Sequence, residues 1–591
     1  MKKLTVALIL ILCAVLCIFS FTSCSKKKKG KATEAPPATT DKWEPLGAEI
    51  KAYSEEDRTI RLKVDAYSDS ERIAMNDKYL EGPDETEVQK TDTIGKLIYT
   101  RNSRANQVFG TTVVYDYWDD PDLGWGKQAG EIVKLVQSAD PGAPDMYIAM
   151  LYDLNKAMLS KGVFKDVWSI PNSYFDFDAD GWMTEWMESL SFTGDRAYIL
   201  GSDYFIDFFR NMGVLPFNAD LMDANGSKLA KALFGEDLAA GETMSQRFFD
   251  YVEAGKWTWA SLKLLCEAVW DDKGTAGQND LDDTLGIIIE AYSGMPATVA
   301  LYSTGETLTN IKYDRDPDTG KVLKTFTISY PQEPGVLKDI FDAISAVFKG
   351  KGAYVTNVKG GGTTKDAPGI GYHYIKFAEN TLLFTDPSLL GTLEDKVFQE
   401  MVGNYLYSVV PLPKLSEYKI RGGEFVLDSN GEKIPVNYNT VIHNTADVGA
   451  ISVRTTGGKA SVISAYMQFL AENSYDVRKE FLEIVTKYKV TENNQGTDRM
   501  RDIIYDCVIT ARDKALDDAI DCLDGGRGLR FHGKLKDGGD NHFTNDAAYI
   551  NAEYAGIISE KQTLLEEVLT KWRSLPTGDA IPTDLDEVEG E

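Results

Sequence analysis

The sequence predicts an α/β protein, and three observations carry that expectation. Strand-like and helix-like periodicities alternate between residues 59 and 150, the 591-residue chain is long enough for two or three cores, and turn-rich stretches separate further strand-like runs in the second half. In "TIRLKVDA", Ile60, Leu62, Val64 and Ala66 alternate with polar neighbours, the period of a half-buried strand. "TDTIGKLIYTRNSRANQVFG" then reads as helix, "TTVVYDY" as strand, "GKQAGEIVKLVQSA" as helix and "DMYIAML" as a short buried strand, a βαβαβ alternation. Further on, "WTWASLKLLCEAVW" offers Thr258 as N-cap, with Trp259, Leu262, Cys266 and Val269 on one helix face and Trp257 and Trp259 as core. "EPGVLKDIFDAISAVF" and "SVISAYMQFLAENSYDVRKEFLEIVTKY" have helical periods, while "DRDPDTGK" and "LDSNGEK" read as hairpin turns. "RDIIYDCVITARDKALDDAIDCL" reads as one helix, which holds Cys507 and Cys522 about 22 Å apart. Beyond Pro576 the acidic stretch "TGDAIPTDLDEVEGE" reads as a disordered tail over 576–591.

At the other end, the apolar run Leu4 to Phe21 follows Lys2 and Lys3 and stops at Thr22, Ser23 and Cys24, with Lys26 to Lys29 behind it. A retained transmembrane helix would draw the lysine-rich side, and with it the acidic body, into the cytosol. The alternative resembles the lipobox of bacterial lipoprotein signals, although Phe21 stands where that motif usually has Leu. It implies a signal peptide over 1–23, lipidation of Cys24 and a flexible tether over 24–57, placing the body outside the cytoplasmic membrane.

Composition narrows the function. A formal charge of −28 argues against a nucleic-acid partner, and the 11% aromatic content supplies rings for a ligand cleft as well as for a core. After cleavage, Cys266, Cys507 and Cys522 remain beside the lipidated Cys24, which is no disulfide framework. HExxH, GxSxG, Walker A and CxxC motifs are absent, and His373, His443, His532 and His542 lack metal-ligand spacing. Calcium is the one cofactor with a partial motif. Asp176, Asp178, Asp180 and Gly181 occupy positions 1, 3, 5 and 6 of a calcium loop, but Met187 fills the twelfth, with Glu188 one residue late. A solvated acidic turn is the simpler reading there. The acid-rich loop from Asp271 to Gly286 lacks the register, although a cluster of Asp and Asn in a Gly-rich loop can fold around an ion.

The order of several segments resembles bacterial extracellular solute-binding lipoproteins, the substrate-capturing components of ABC importers, in their large carbohydrate-associated group. The pieces are "RN" at Arg101 and Asn102 before "VFGTTV", "DMYIAMLYDLNKAMLSKGVFKDV", "LPFNADLMDANG", "GKWTWASLKLLCEAVWDDKG", "LYSVVPLPKLSE" and "ISAYMQFLAENSY", spread over residues 58–575. The resemblance implies a two-lobed periplasmic-binding-protein-like fold of type II. Lobe 1 would take 58–203 and 446–500, and lobe 2 would take 204–445 and 501–575. It also implies a monomer that binds a saccharide between closing lobes, delivers it to an ABC permease, uses no cofactor and is no enzyme. Sugar chemistry calls for rings against CH faces and fixed carboxylates or amides at strand ends. The candidate residues are Tyr67, Asp69, Tyr152, Asp153, Asp203, Tyr204, Glu290, Tyr292, Asp386, Tyr438 and Asn439. Trp118, Trp125 and Trp182 read either as stacking platforms or as lids on the core. Two other functions fit the chain: a glycan-degrading lipoprotein using a carboxylate pair, and a receptor for peptides or other nutrients on the same fold.

Overall fold

The alternation at Ile60, Leu62 and Val64 buries one face of strand β1 (Thr59–Val64), which lies inside the first of two main sheets. The computed structural model describes residues 41–65, 77–118, 123, 126–274, 279–290, 302–305, 309–315, 317, 322–328, 334–356, 363–364, 367–368, 372–394, 406–487, 495–507, 562–582 and 585. Residues 1–45 form one unit and 46–591 another. In the first, Trp43 N donates to Asp41 Oδ1 at 3.1 Å where a helix opens. The expected signal peptide over 1–23 and the expected lipidation site Cys24 lie outside the described residues. Among the described ones, no helix is long and apolar enough to cross a membrane.

Sheet 1 pairs β1 in parallel with β2 (Thr112–Tyr117) on one side and β3 (Met146–Met150) on the other. Helix α1 (Thr93–Phe109) joins β1 to β2. Asp92 caps it by accepting from Gly95 N, and Gly110 ends it in the left-handed conformation, φ 62°, which a side chain rarely adopts. Helix α2 (Gln128–Gln137) joins β2 to β3, and helix α3 (Leu151–Lys161) follows directly. Sheet 2 has the order β8 (Ser388–Leu389), β4 (Gly213–Asn218), β7 (Leu382–Phe384), β5 (Leu285–Glu290), β6 (Ala353–Thr356), with β9 (Tyr407–Val410) also paired to β4. Helix α4 (Trp259–Val269) begins at Thr258, whose side chain accepts from Ser261 N, and it packs on β5; Trp257 and Trp259 are fully buried. Strands Thr309–Arg315 and Val322–Ile328 pair as a hairpin, and Leu427 bridges Lys433 across "DSNGE".

Among the described residues, an outgoing and a returning passage between the sheets run side by side. Going out, Leu200 pairs with Gly449 and Met212 with Ile442; returning, the chain enters β10 (Asp447–Ile451), which adds to sheet 1 antiparallel to β3. Asp207 stitches them further, accepting from Arg210, from Asn211 Nδ2 and from Asp447 N at 2.6, 2.9 and 2.8 Å. The expected C-terminal helical run divides at Asn473–Ser474 into α5 (Gly457–Glu472) and α6 (Tyr475–Lys487). α6 packs on α1, on β9 and on α7 (Gln495–Cys507), which lies against helix Met244–Glu253. Cys507 ends α7; Cys522 lies outside the described residues.

Two expectations need correction. The helix over 562–574 sits against residues counted with lobe 1, because Trp572 is buried between Phe192 and Tyr198, at ring distances of 4.7 and 5.2 Å. The start of the acidic tail is held, not disordered. Arg196 donates to the carbonyls of Arg573 and Leu575, Tyr198 OH donates to Pro576 O, and buried Lys165 pairs with Asp579 at 3.1 Å. Burying a tryptophan is worth more than the acidity of the few residues behind it.

Candidate functional site

The strand ends of sheet 1 hold the first group of expected residues. Asp65, directly after β1, is buried and accepts from Gln128 Nε2. Asp153, in the first turn of α3, is equally buried. Its two oxygens take the backbone N–H groups of Ala129 and Gly126 at 2.8 and 3.1 Å. Burial pushes its pKa up to about 6, those amides pull it down and the Asp65 charge adds to the rise. Asp153 is therefore the carboxylate that fastens the start of α2. Tyr152 is buried beside Gly126, at φ 78°, where an added Cβ would stand 3.0 Å from the ring. Trp118 stacks on Tyr147 at 6.5 Å. Tyr67, Asp69 and Trp125 lie outside the described residues.

The outgoing passage gathers the second group. Asp203 is 1% exposed, and Arg478 of α6 donates through Nη1 to both its oxygens, at 2.8 and 2.7 Å. The same nitrogen reaches Tyr505 OH of α7 at 2.6 Å. Burial drives the Asp203 carboxyl up to about 6, the Arg478 charge opposes the rise and the nearby Asp180 adds to it. The guanidinium lies 4.1 Å from the Tyr505 ring centre and 4.9 Å from that of Tyr475. A cavity of about 290 Å³ opens there, lined by Tyr475, Arg478, Lys479, Leu482, Tyr505 and the carboxylates Asp502 and Asp506. Burial pushes the Tyr505 phenol up to about 12, so it stays a neutral donor and acceptor. Tyr204 is fully buried behind Asp203, with its OH 3.4 Å from Tyr115 OH.

In sheet 2 the expected residues stand apart. Glu290 is the last residue of β5, and Tyr292 lies outside the described residues. Asp386 is buried against His373 Nε2 at 2.9 Å and accepts from Ser388 Oγ. The serine serves the aspartate and not the histidine, so the three do not form a nucleophilic triad. Tyr438 OH donates to Val252 O and accepts from Trp257 N; Asn439 turns its amide onto Asn437 O. Both are folded into the return passage.

The structure thus unites Asp203 with Tyr204, pairs Tyr152 with Asp153 in another place, and leaves Asp386, Tyr438 and Asn439 separate. Sequence reasoning missed Arg478, Tyr475 and Tyr505. A signal was there: Arg478 stands three and four residues before the buried Phe481 and Leu482, on the apolar stripe of α6 where a charge is out of place. Trp182 packs edge-on against the stacked rings of Phe175 and Phe177 and donates to Gln468 Oε1, so it closes the core. In the calcium-like turn, Gly181 is required because a Cβ there would strike Ala471 O at the end of α5. Among the described residues no group of three His, Cys, Asp or Glu side chains is placed to hold a metal ion.

No family model and no curated protein matches the chain. Solved structures similar to it include the sugar-binding protein MalE of Xanthomonas citri, 12% identical over 86% of this chain and 99% of that one, TM-score 0.43. An ABC transporter solute-binding protein of Agrobacterium radiobacter in complex with ribitol is 11% identical over 84% and 98%, TM-score 0.40. The galacto-N-biose-/lacto-N-biose I-binding protein of Bifidobacterium longum, in complex with lacto-N-biose, is 11% identical over 87% and 97%, TM-score 0.38. These three are binding proteins of sugar or polyol ligands.

Proposed function

We propose that this chain is a non-enzymatic receptor, anchored through a lipid on Cys24 to the outer face of the cytoplasmic membrane. It captures a saccharide as a monomer and hands it to an ABC permease. One observation carries the reading: a cavity faced by two tyrosine rings and by charges of both signs lies beside Asp203, where the chain passes from one sheet to the other. Rings suit the CH faces of a sugar, and the carboxylates and Lys479 suit its hydroxyls. At about 290 Å³ the cavity stands at the lower end of ligand pockets, which matches a monosaccharide better than a long oligosaccharide. Ligand favours a closed arrangement only through contacts that exist there and not in the open one. A hydrolase would need an unengaged proton-donating carboxyl at the scissile bond, whereas Asp203 has both oxygens on an arginine.

The test is a thermal-unfolding scan of the full chain in detergent against monosaccharides, oligosaccharides, oligopeptides and polyamines, each with and without calcium. Ligand at a hundred times its dissociation constant adds about 2.7 kcal/mol, a visible midpoint shift. A shift with one sugar class, lost in Tyr505→Ala, supports the reading. A shift with peptides or amines alone replaces the ligand class, and sugar released from a glycan overturns the non-enzymatic assignment.

A further inference from the structure

Arg101 is buried deep in α1, and among the described residues its hydrogen bonds go to the neutral groups Asn102 Oδ1, Ser474 Oγ and Leu80 O, with no ion pair to a carboxylate. Its Nε donates to Asn102 Oδ1 at 3.0 Å and its Nη1 to Ser474 Oγ at 2.9 Å, and its guanidinium carbon lies 4.8 Å from the ring centre of Tyr204. Burying a guanidinium without an anion costs several kcal/mol, so an apolar residue would be the cheaper filler at this place.

Both its principal contacts lie one step from the cavity. Ser474 is the residue before α6, and Arg478 N donates to Ser474 O at 2.9 Å, so one helical turn joins Ser474 to Arg478. Tyr204 is the neighbour of Asp203, whose carboxylate Arg478 holds. Five residues therefore close a ring: Arg101 to Ser474, Ser474 to Arg478, Arg478 to Asp203, Asp203 to its chain neighbour Tyr204, and Tyr204 back to Arg101. Arg478 also turns toward Tyr505 on the cavity wall.

We propose that Arg101, which does not line the cavity, is a positioning residue for it. With Arg478 it makes a two-armed clamp that fixes Asp203, Tyr204 and the first turn of α6 as one body. Arg101 holds the ring of Tyr204 and the start of α6 while Arg478 holds the carboxylate, so Arg478 and the two tyrosines keep one arrangement around the cavity. The value of the clamp to binding rests on the receptor reading above; the clamp itself is tested without any ligand.

The experiment is hydrogen exchange by mass spectrometry on the full chain in detergent, following segments 200–206, 471–479 and, as reference, 146–150. Arg101→Ala should speed exchange at least tenfold in both 200–206 and 471–479, with 146–150 unchanged. Arg478→Ala should do the same, and Arg478→Lys, which keeps the charge beside Asp203, should restore most of the protection. Arg101→Lys should not, because an ammonium has no plane to lay on Tyr204. Tyr204→Leu removes the same contact from the other side and serves if the arginine variants fail to fold. Acceleration in 471–479 alone, or acceleration spread equally over all three segments, overturns the clamp. Silence of the sugar panel would overturn the receptor reading and leave this result standing.

Discussion

Asp153 and Asp203 are buried to the same degree, and both carboxyls are pushed up to about 6, yet they do different things. Asp153 is held by two backbone amides, Asp203 by the guanidinium of an arginine. Burial sets the titration in both places; the partner sets what titration does. Protonating Asp153 weakens a fastening inside sheet 1, whereas protonating Asp203 releases a cation at the wall of a cavity.

The largest break in this parallel should come from Arg478→Ala. It leaves Asp203 buried without its cation and should cost about 3–5 kcal/mol in denaturant unfolding at pH 7. No single substitution around Asp153 should cost as much, and an equal cost there would end the contrast. Next comes pH. Both folded-state pKa values lie above the unfolded value, so each carboxyl adds stability that is fully present below about pH 4 and is lost as pH rises through 6. Each group should make the chain about 2 kcal/mol more stable at pH 4.5 than at pH 7. Asp153→Asn and Asp203→Asn should each remove that share of the slope, and a slope left intact in either variant would contradict the burial argument. A third effect separates the partners. Asp153→Asn at pH 7 should cost about 1–2 kcal/mol, since the two N–H groups bond different oxygens and one of these becomes an NH2 donor. The smallest effect should be Tyr204→Phe. It loses only a 3.4 Å hydroxyl contact and should stay within about 0.5 kcal/mol, with the ring still on Arg101.

Much of the fold was legible because its signals are local. The alternation in "TIRLKV", the Thr258 cap and the hairpin turns each depend on neighbours within a few residues, and each formed where its pattern placed it. The start of the tail was misread for the complementary reason. Its composition is acidic, but Tyr198 and Lys165, some four hundred residues away, hold Pro576 and Asp579. The cavity was half legible. Asp203 was singled out from its place at the lobe boundary, while Arg478 showed only as a charge on the apolar stripe of α6 and Tyr505 looks from sequence like an ordinary member of an amphipathic helix.

The sequence by itself determined the element types, the α/β class, the absence of the common catalytic motifs and the acidic charge, because all of these follow from residue identity and short periods. The tertiary structure alone decided that Arg478 meets Asp203 and that Arg101 meets Ser474, pairs separated by 275 and 373 positions. Such contacts depend on how α1, α6 and the outgoing passage pack together, and no period of two or 3.6 residues carries that information. The same packing turned two out-of-place arginines on apolar stripes into the grip on the passage between the sheets.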